Sequence, residues 1–213
     1  MSAWLRLGET EIACASPERL VRLDADRVAE TRPIKGTRPR GTTPAQDQEL
    51  RADLESAAKD HAEHVMIVDV ARNDLGRVCE PGSVEVAALA EIEPHPTVWQ
   101  MVSTVRGQLR AEHDAVSLLR ALFPAASMTG APKVQAMRLI SQMERSQRGV
   151  YSGTIGYLDD GGAMDMGVVI RTLVRSGDQI TFHSGGAITS DSDREAEEQE
   201  TLDKVAGLVR ALA

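Results

Sequence analysis

The apolar pattern of this chain changes period along its length, and that limits what it can fold into more than any single motif does. Over residues 3–31 short apolar alternations lie between turn residues: Trp4 to Leu7, a turn at Gly8, Glu11 to Ala15, then Arg19 to Leu23 and Arg27 to Thr31 around an Asp24-Ala25-Asp26 turn. A period of two with such breaks predicts strands of one small antiparallel sheet. From Pro44 the apolar positions Leu50, Leu54, Ala57, Ala58 and Val65 follow helical spacing, which predicts one long helix over 47–64 running into 65–68, with Glu63 in its last turns. Strand patterns are expected at 78–79, 84–92 and 98–105, and helices at 114–123 and 133–144. The last third returns to sheet at 149–158, 163–174 and 179–183, with a hairpin turn at residues 159–162. A long acidic helix over 194–212 follows Asp191 to Asp193.

Between the strands and the first helix lies a stretch with no helical character, residues 31–41. Pro33 and Pro39 fix φ and remove backbone donors, while Gly36 and Gly41 permit angles and close approaches that other residues do not, so a shaped loop is expected. Lys35 is at its centre. A lysine held this way can be pressed against apolar surface or another cation, which frees its lone pair for covalent attack. On spacing alone, Arg32, Lys35, Arg38 and Arg40 equally describe a solvated basic loop. Upstream, Ser16-Pro17-Glu18 forms a tight corner that holds a carboxylate at a sheet end, where turn residue and acid/base group are both open. On the last helix, Glu197, Glu200 and Lys204 are spaced i, i+3 and i+7 and so share one face. That face could hold a hard divalent cation with a further carboxylate, for which Glu63 is the candidate, or could be a solvated Glu–Lys surface.

Composition excludes several classes. A net charge of −8 and a pI near 5.2 leave no electrostatic footprint for nucleic acid, and 42% hydrophobic residues suffice for a substantial core. Cys14 and Cys79 are too few for a disulfide framework or zinc site and are expected to be buried free thiols. Neither a membrane-spanning apolar run nor a charged-then-apolar leader is present, so a cytoplasmic protein without a membrane partner is expected. Because residues 3–7 already read as strand, a piece of a longer protein is expected as well.

Pro33-Ile34-Lys35-Gly36-Thr37 resembles a signature of the chorismate-utilising enzymes, and blocks similar to that family's follow in order: Ser16-Pro17-Glu18, the run from Val68 to Gly76, Ser127 to Lys133, and the terminal Glu200-Thr201-Leu202-Asp203-Lys204. The resemblance covers residues 16–204. It implies an α/β (α+β) sandwich of two packed antiparallel sheets with helices on the outer faces, here a partial domain over 1–213 whose N-terminal half is absent. Lysine at position 35 resembles the branch that aminates chorismate at C4 in 4-aminobenzoate and folate biosynthesis, whereas anthranilate synthase has alanine there. By resemblance, Lys35 is the nucleophile and Glu18 an acid/base group. Glu63 and Glu200, with Glu197 close by, hold Mg²⁺, and the metal holds the ring carboxylate of chorismate. Gly36, Thr37 and Ser127 line the substrate; Tyr151 and Arg171 grip the enolpyruvyl carboxylate, for which a planar guanidinium fork is suited. Gly185 and Gly186 add backbone N–H groups and Lys204 adds charge. Ammonia would come from a glutamine amidotransferase subunit.

Two positions depart from the family pattern. Gln100 stands where a histidine commonly faces the C4 hydroxyl of chorismate, and glutamine cannot act as a general acid near neutral pH. Ala187 stands where glycine is usual. Anthranilate synthase, isochorismate or salicylate synthase, and a chorismate-binding fragment without turnover remain the alternatives.

Overall fold

The computed structural model describes residues 1–190 and 192–212, so Asp191 lies outside the described residues. The elements in chain order are β1 (Ser2–Leu7), β2 (Thr10–Ala15), β3 (Arg19–Leu23), β4 (Val28–Arg32), β5 (Ile34–Pro39), α1 (Pro44–Ser56), α2 (Ala58–Gly76), β6 (Glu85–Pro94), β7 (Val98–Gln108), α3 (Ala115–Leu122), α4 (Ala126–Thr129), α5 (Lys133–Met143), β8 (Thr154–Leu158), β9 (Met164–Val168), β10 (Thr172–Ser176), β11 (Gln179–Thr181) and α6 (Arg194–Leu212). Two antiparallel sheets with helices result, as the α/β class requires. One has the order β1-β2-β10-β11, and the other β5-β7-β4-β3-β9-β8 with β6 paired to β7. The chain divides into two compact units, one of Met1–Glu18, Glu144–Gly156 and the residues from Gly167 onward, the other of Arg19–Met143 and Tyr157–Met166.

Several sequence expectations need correction. The first four strands do not form one sheet: β1 and β2 pair with each other, while β4 pairs with β3 and β7. The corner at Ser16-Pro17-Glu18 is where the chain leaves one sheet for the other. The single strand expected over 163–174 is likewise two strands in different sheets, with Arg171, at φ +50°, in the turn between them. Strand 149–158 shortens to β8, since residues 148–153 form turns in which Ser152 takes φ +67°. Val78 and Cys79 contribute one isolated bridge, Cys79 to Leu109. Both cysteines are buried and free, as expected.

The long helix of 47–64 is two helices. α1 starts earlier than expected because Thr43 caps it, its hydroxyl accepting from the Gln46 N–H at 3.3 Å, and Pro44 takes the first turn where no backbone donor is needed. At Ala57, with φ −71° and ψ +93°, helical geometry stops. Two local bonds mark the end of α1: the Ser56 hydroxyl folds back on Ala52 O at 2.9 Å, and His61 Nε2 meets the freed carbonyl of Glu55 at 2.9 Å. Glu63 therefore lies early in α2 and not at the end of a helix. The buried face of α2 is His64, Ile67, Val68, Ala71, Asp74 and Leu75, a three-and-four stripe.

Most of residues 31–41 is strand and not loop, 31–32 ending β4 and 34–39 forming β5. β4 and β5 pair end to end with β7, β4 against Val105–Gln108 and β5 against Val98–Val102. Pro33 separates them, and its carbonyl accepts the Ser103 N–H at 3.2 Å. Within β5 the register slips: Ile34 faces Val102 but Thr37 faces Gln100, so three steps on one strand match two on the other. This β-bulge places its extra residue at Lys35-Gly36. Gly36 takes φ +79°, and a Cβ there would lie 2.8 Å from Leu54 Cδ1 and 3.2 Å from Asp60 Cγ, so only glycine fits between the strand and the α1–α2 break.

Gly41 is needed for a different reason. A Cβ on it would lie 2.2 Å from the Asp47 backbone nitrogen, in the first turn of α1. The Asp47 carboxylate accepts from Arg40 Nε at 2.7 Å, the Gly41 N–H at 2.8 Å and Trp99 Nε1 at 3.0 Å, which holds it well below the usual carboxylate range. Gly41→Ala should cost about 2 kcal/mol in urea unfolding, the cost of forcing a methyl group into packed backbone. A loss under about 0.5 kcal/mol would show that the helix start moves freely.

Candidate functional site

In the unit built on Arg19–Met143, the bulge turns Lys35 toward α2. Lys35 Nζ donates to Glu63 Oε2 at 2.9 Å, with the two side chains 18% and 10% exposed. The neighbour expected for this lysine was an apolar surface or a second cation, and the structure supplies a carboxylate instead. Arg38, two residues past the bulge, pairs with Asp53 of α1 and, at 3.2 Å, with Asp60 of α2, so one guanidinium ties β5 to both helices across their break. Thr37 and Gln100 are direct cross-strand partners, and Gln100 also faces Glu93 of β6. Gln100 is buried, within one bulge of Lys35. Ser127 lies in α4, and its hydroxyl is buried with no hydrogen-bond partner among the described residues.

Sequence reasoning missed three features of this unit. His64 is fully buried, and burial holds its imidazole down to about 4, helped by the charges of His61 and Lys35, so it is neutral near pH 7. Lys133, the first residue of α5, donates to Asp74 Oδ2 at 2.5 Å and to Leu122 O at 3.1 Å. Arg38 is the third. Two polar residues within the otherwise apolar stripe of α2, His64 and Asp74, were the signal available.

The other unit gathers a second set. Arg171, in its left-handed conformation, accepts the Ala15 N–H on its carbonyl at 3.1 Å. Burial lowers its guanidinium below the ordinary value, against the opposing pull of Tyr151, Glu18 and Glu200. These four residues from four separate parts of the chain thus share one electrostatic neighbourhood. Glu18 is buried, and its N–H donates to Ser16 Oγ at 3.2 Å. Tyr151 stacks on His183, with centroids 5.5 Å apart and planes 20° from parallel, and burial raises its phenol. The Tyr151 hydroxyl lies 3.3 Å from where a Cβ on Gly185 would stand.

On α6, Glu197 is buried and accepts from the Ser192 hydroxyl at 2.6 Å. Its second oxygen is 3.1 Å from a Cβ position on Gly186, so the glycine lets the carboxylate lie against the preceding loop. Glu200 pairs with Lys204, which also donates to Gly185 O at 3.2 Å. Among the described residues no three His, Cys, Asp or Glu side chains converge in a metal-binding group. The carboxylate oxygens of Glu63, Glu197 and Glu200 are the donor type that a hard cation such as Mg²⁺ takes. Among the described residues, no helix is long and apolar enough to cross a membrane.

These geometries belong to a chain whose residues 1–210 match the model of the chorismate binding enzyme family. The chain belongs to that family. Among curated chorismate-binding relatives, an aminodeoxychorismate synthase of Streptomyces pristinaespiralis is 48% identical over 99% of this chain and 29% of its own length. Aminodeoxychorismate synthase component 1 of Escherichia coli is 47% identical over 99% of this chain and 46% of its own length, and anthranilate synthase component 1 of Aquifex aeolicus is 45% identical over 98% and 42%. Among solved structures, anthranilate synthase component I from Streptococcus pneumoniae superposes with a TM-score of 0.86 at 38% identity, covering 96% of this chain and 45% of that one. The chain therefore spans less than half the length of these relatives.

Proposed function

We propose that this chain carries the chemistry of aminodeoxychorismate synthase component I, replacement of the C4 hydroxyl of chorismate by an amino group with the enolpyruvyl group retained. The observation that supports it most is Lys35, held on the β5 bulge at 2.9 Å from Glu63. In this reading the Lys35 amine forms a bond to ring C2 as the C4 hydroxyl leaves with a proton as water. Ammonia then bonds to C4, and the C2–N bond breaks to return the lysine amine. The products are 4-amino-4-deoxychorismate and water.

Glu18 would serve as acid/base at the C2 end. Arg171 and Tyr151 would take the enolpyruvyl carboxylate, with Gly185, Gly186 and Lys204 contributing backbone and charge, and their shared neighbourhood in one unit supports that grouping. Gly36, Thr37 and Gln100 would line the ring, and the unpartnered hydroxyl of Ser127 suits a polar substrate contact. Glu63, Glu200 and the adjacent Glu197 are the carboxylates assigned to Mg²⁺, which when bound would neutralise the ring carboxylate. A glutamine amidotransferase subunit would supply the ammonia, and a cytoplasmic setting is part of the same reading.

Intact-protein mass spectrometry after incubation with chorismate and Mg²⁺, without ammonia, tests the reading. A chorismate-derived adduct mapping to Lys35 is the expected result. Anthranilate or isochorismate formed without an adduct would move the chain to a sister activity, and neither adduct nor product would favour chorismate binding without turnover.

A further inference from the structure

His64 follows Glu63 directly in α2 and so lies about 100° around the helix from it. Its Nε2 is 2.5 Å from the Ser103 hydroxyl oxygen of β7, and that oxygen in turn accepts the Ala90 N–H at 2.8 Å. Ala90 is a left-handed residue, φ +53°, in the bulged stretch of β6 between Ala88 and Glu91. The Ser103 oxygen, with two lone pairs and one hydrogen, can hold the Ala90 N–H and Nε2 at once in either tautomer of the ring. One side chain of α2 is thus joined by a directional bond to the central strand β7 and, through it, to an irregular point of β6.

The rest of the buried stripe is mostly apolar: Ile67, Val68, Ala71 and Leu75. Apolar contacts resist a small rotation or slide of a helix weakly, because one methyl group can replace another against the sheet. A hydrogen bond between two buried groups accepts one geometry only. The adjoining face of α2 carries the Lys35–Glu63 pair, which a rotation of the helix would pull apart. We propose that His64 is a positioning residue: through Ser103 it fixes the rotation of α2 that presents Glu63 to Lys35. Its importance for turnover rests on the reading of Lys35 and Glu63 given above, but the positioning itself does not.

The test uses His64→Leu, which keeps bulk without the bond, Ser103→Ala, which removes the partner, and His64→Gln, whose amide reaches about as far as Nε2. Each chain is pulse-labelled with an amine-reactive reagent at one pH, and the rate at Lys35 is compared with the rate at Lys204 by peptide mass spectrometry. Labelling of Lys35 should rise about fivefold in His64→Leu and Ser103→Ala, the factor for losing one hydrogen bond, and return to within about twofold in His64→Gln. Lys204, held by Glu200 and the Gly185 carbonyl, should not change. If His64→Leu does not fold, Ser103→Ala decides alone. Unchanged Lys35 labelling in a folded Ser103→Ala chain would overturn the proposal, as would a gain that His64→Gln fails to reverse. A gain at Lys35 in a chain whose parent forms no chorismate adduct would keep the positioning role and dismiss the catalytic reading.

Discussion

Lys35→Ala is expected to abolish the chorismate adduct and to slow formation of 4-amino-4-deoxychorismate from chorismate and ammonia by at least about 1,000-fold, as loss of a covalent nucleophile does. Thermal stability should fall less than in a variant that leaves a buried charge wholly unpaired, because Lys59, 3.9 Å from the other Glu63 oxygen, remains. Lys35→Arg separates charge from nucleophilicity. It keeps a cation beside Glu63, but a guanidinium stays protonated and cannot attack, so it should be as inactive as alanine. Recovery of more than a tenth of the activity in Lys35→Arg would show that position 35 supplies charge only, and direct attack of ammonia on the ring would then replace the covalent route. Both rates are read by coupling the product to a lyase and following 4-aminobenzoate.

Asp74→Ala should destabilise the chain by about 3 kcal/mol, because it leaves the Lys133 ammonium, 17% exposed, without the carboxylate that balances it. For a chain of this size that is a melting point lower by about 6–12 °C. Removing the other partner gives a pH signature. Burial already raises the Asp74 carboxyl above its ordinary value, against the opposing bond from Lys133. Lys133→Met removes that opposition and raises it further. A carboxyl raised in the folded state favours folding when protonated, so the stability of Lys133→Met should be greatest at low pH and fall as pH rises through the raised value, a window above about 4. Scanning calorimetry from pH 4 to 7 reads this directly. A flat difference between Lys133→Met and the parent across that range would show that the Asp74 carboxylate finds another partner. The pair also pins the start of α5 and the end of α3, which bracket Ser127, so chorismate affinity should weaken in both variants.

Most elements of regular period were legible in the sequence. α3 begins where Asp114 accepts the Ser117 N–H at 2.7 Å, and α5 and α6 lie where the spacing put them. The failures share a cause. The break at Ala57 lies in a run with no glycine or proline to announce it, and the turns at Arg171 and Ser152 fall on non-glycine residues although Gly167, Gly149 and Gly153 stand in the same runs; each is a backbone angle fixed by surrounding contacts. The two prolines and two glycines of residues 31–41 gave the opposite error. They were read as loop formers, but Pro33 only interrupts a run along β7, and Gly36 serves a bulge. For the site, the residues singled out by motif were identifiable from sequence, whereas their partners were not. Nothing in Glu63 foretells Lys35, 28 positions away, and Arg38, His64 and Lys133 act through contacts that only the fold brings together.

The bulge in β5 absorbs one residue of phase. Side chains alternate along a strand, so an extra residue left in regular pairing would exchange the faces of everything beyond it, but the two-against-one match at Lys35-Gly36 takes it up, and Thr37, Arg38 and Pro39 keep Gln100, Trp99 and Val98 as partners. Deleting Gly36 would let 35 and 37–39 pair with β7 without interruption, with Arg38 still opposite Trp99. The loss would fall on Lys35, which would enter regular alternation opposite Met101 and give up the turn toward α2. A one-residue deletion at this point is thus absorbed by the strand beyond it, whereas one placed after Thr37 would exchange the faces of the residues that follow.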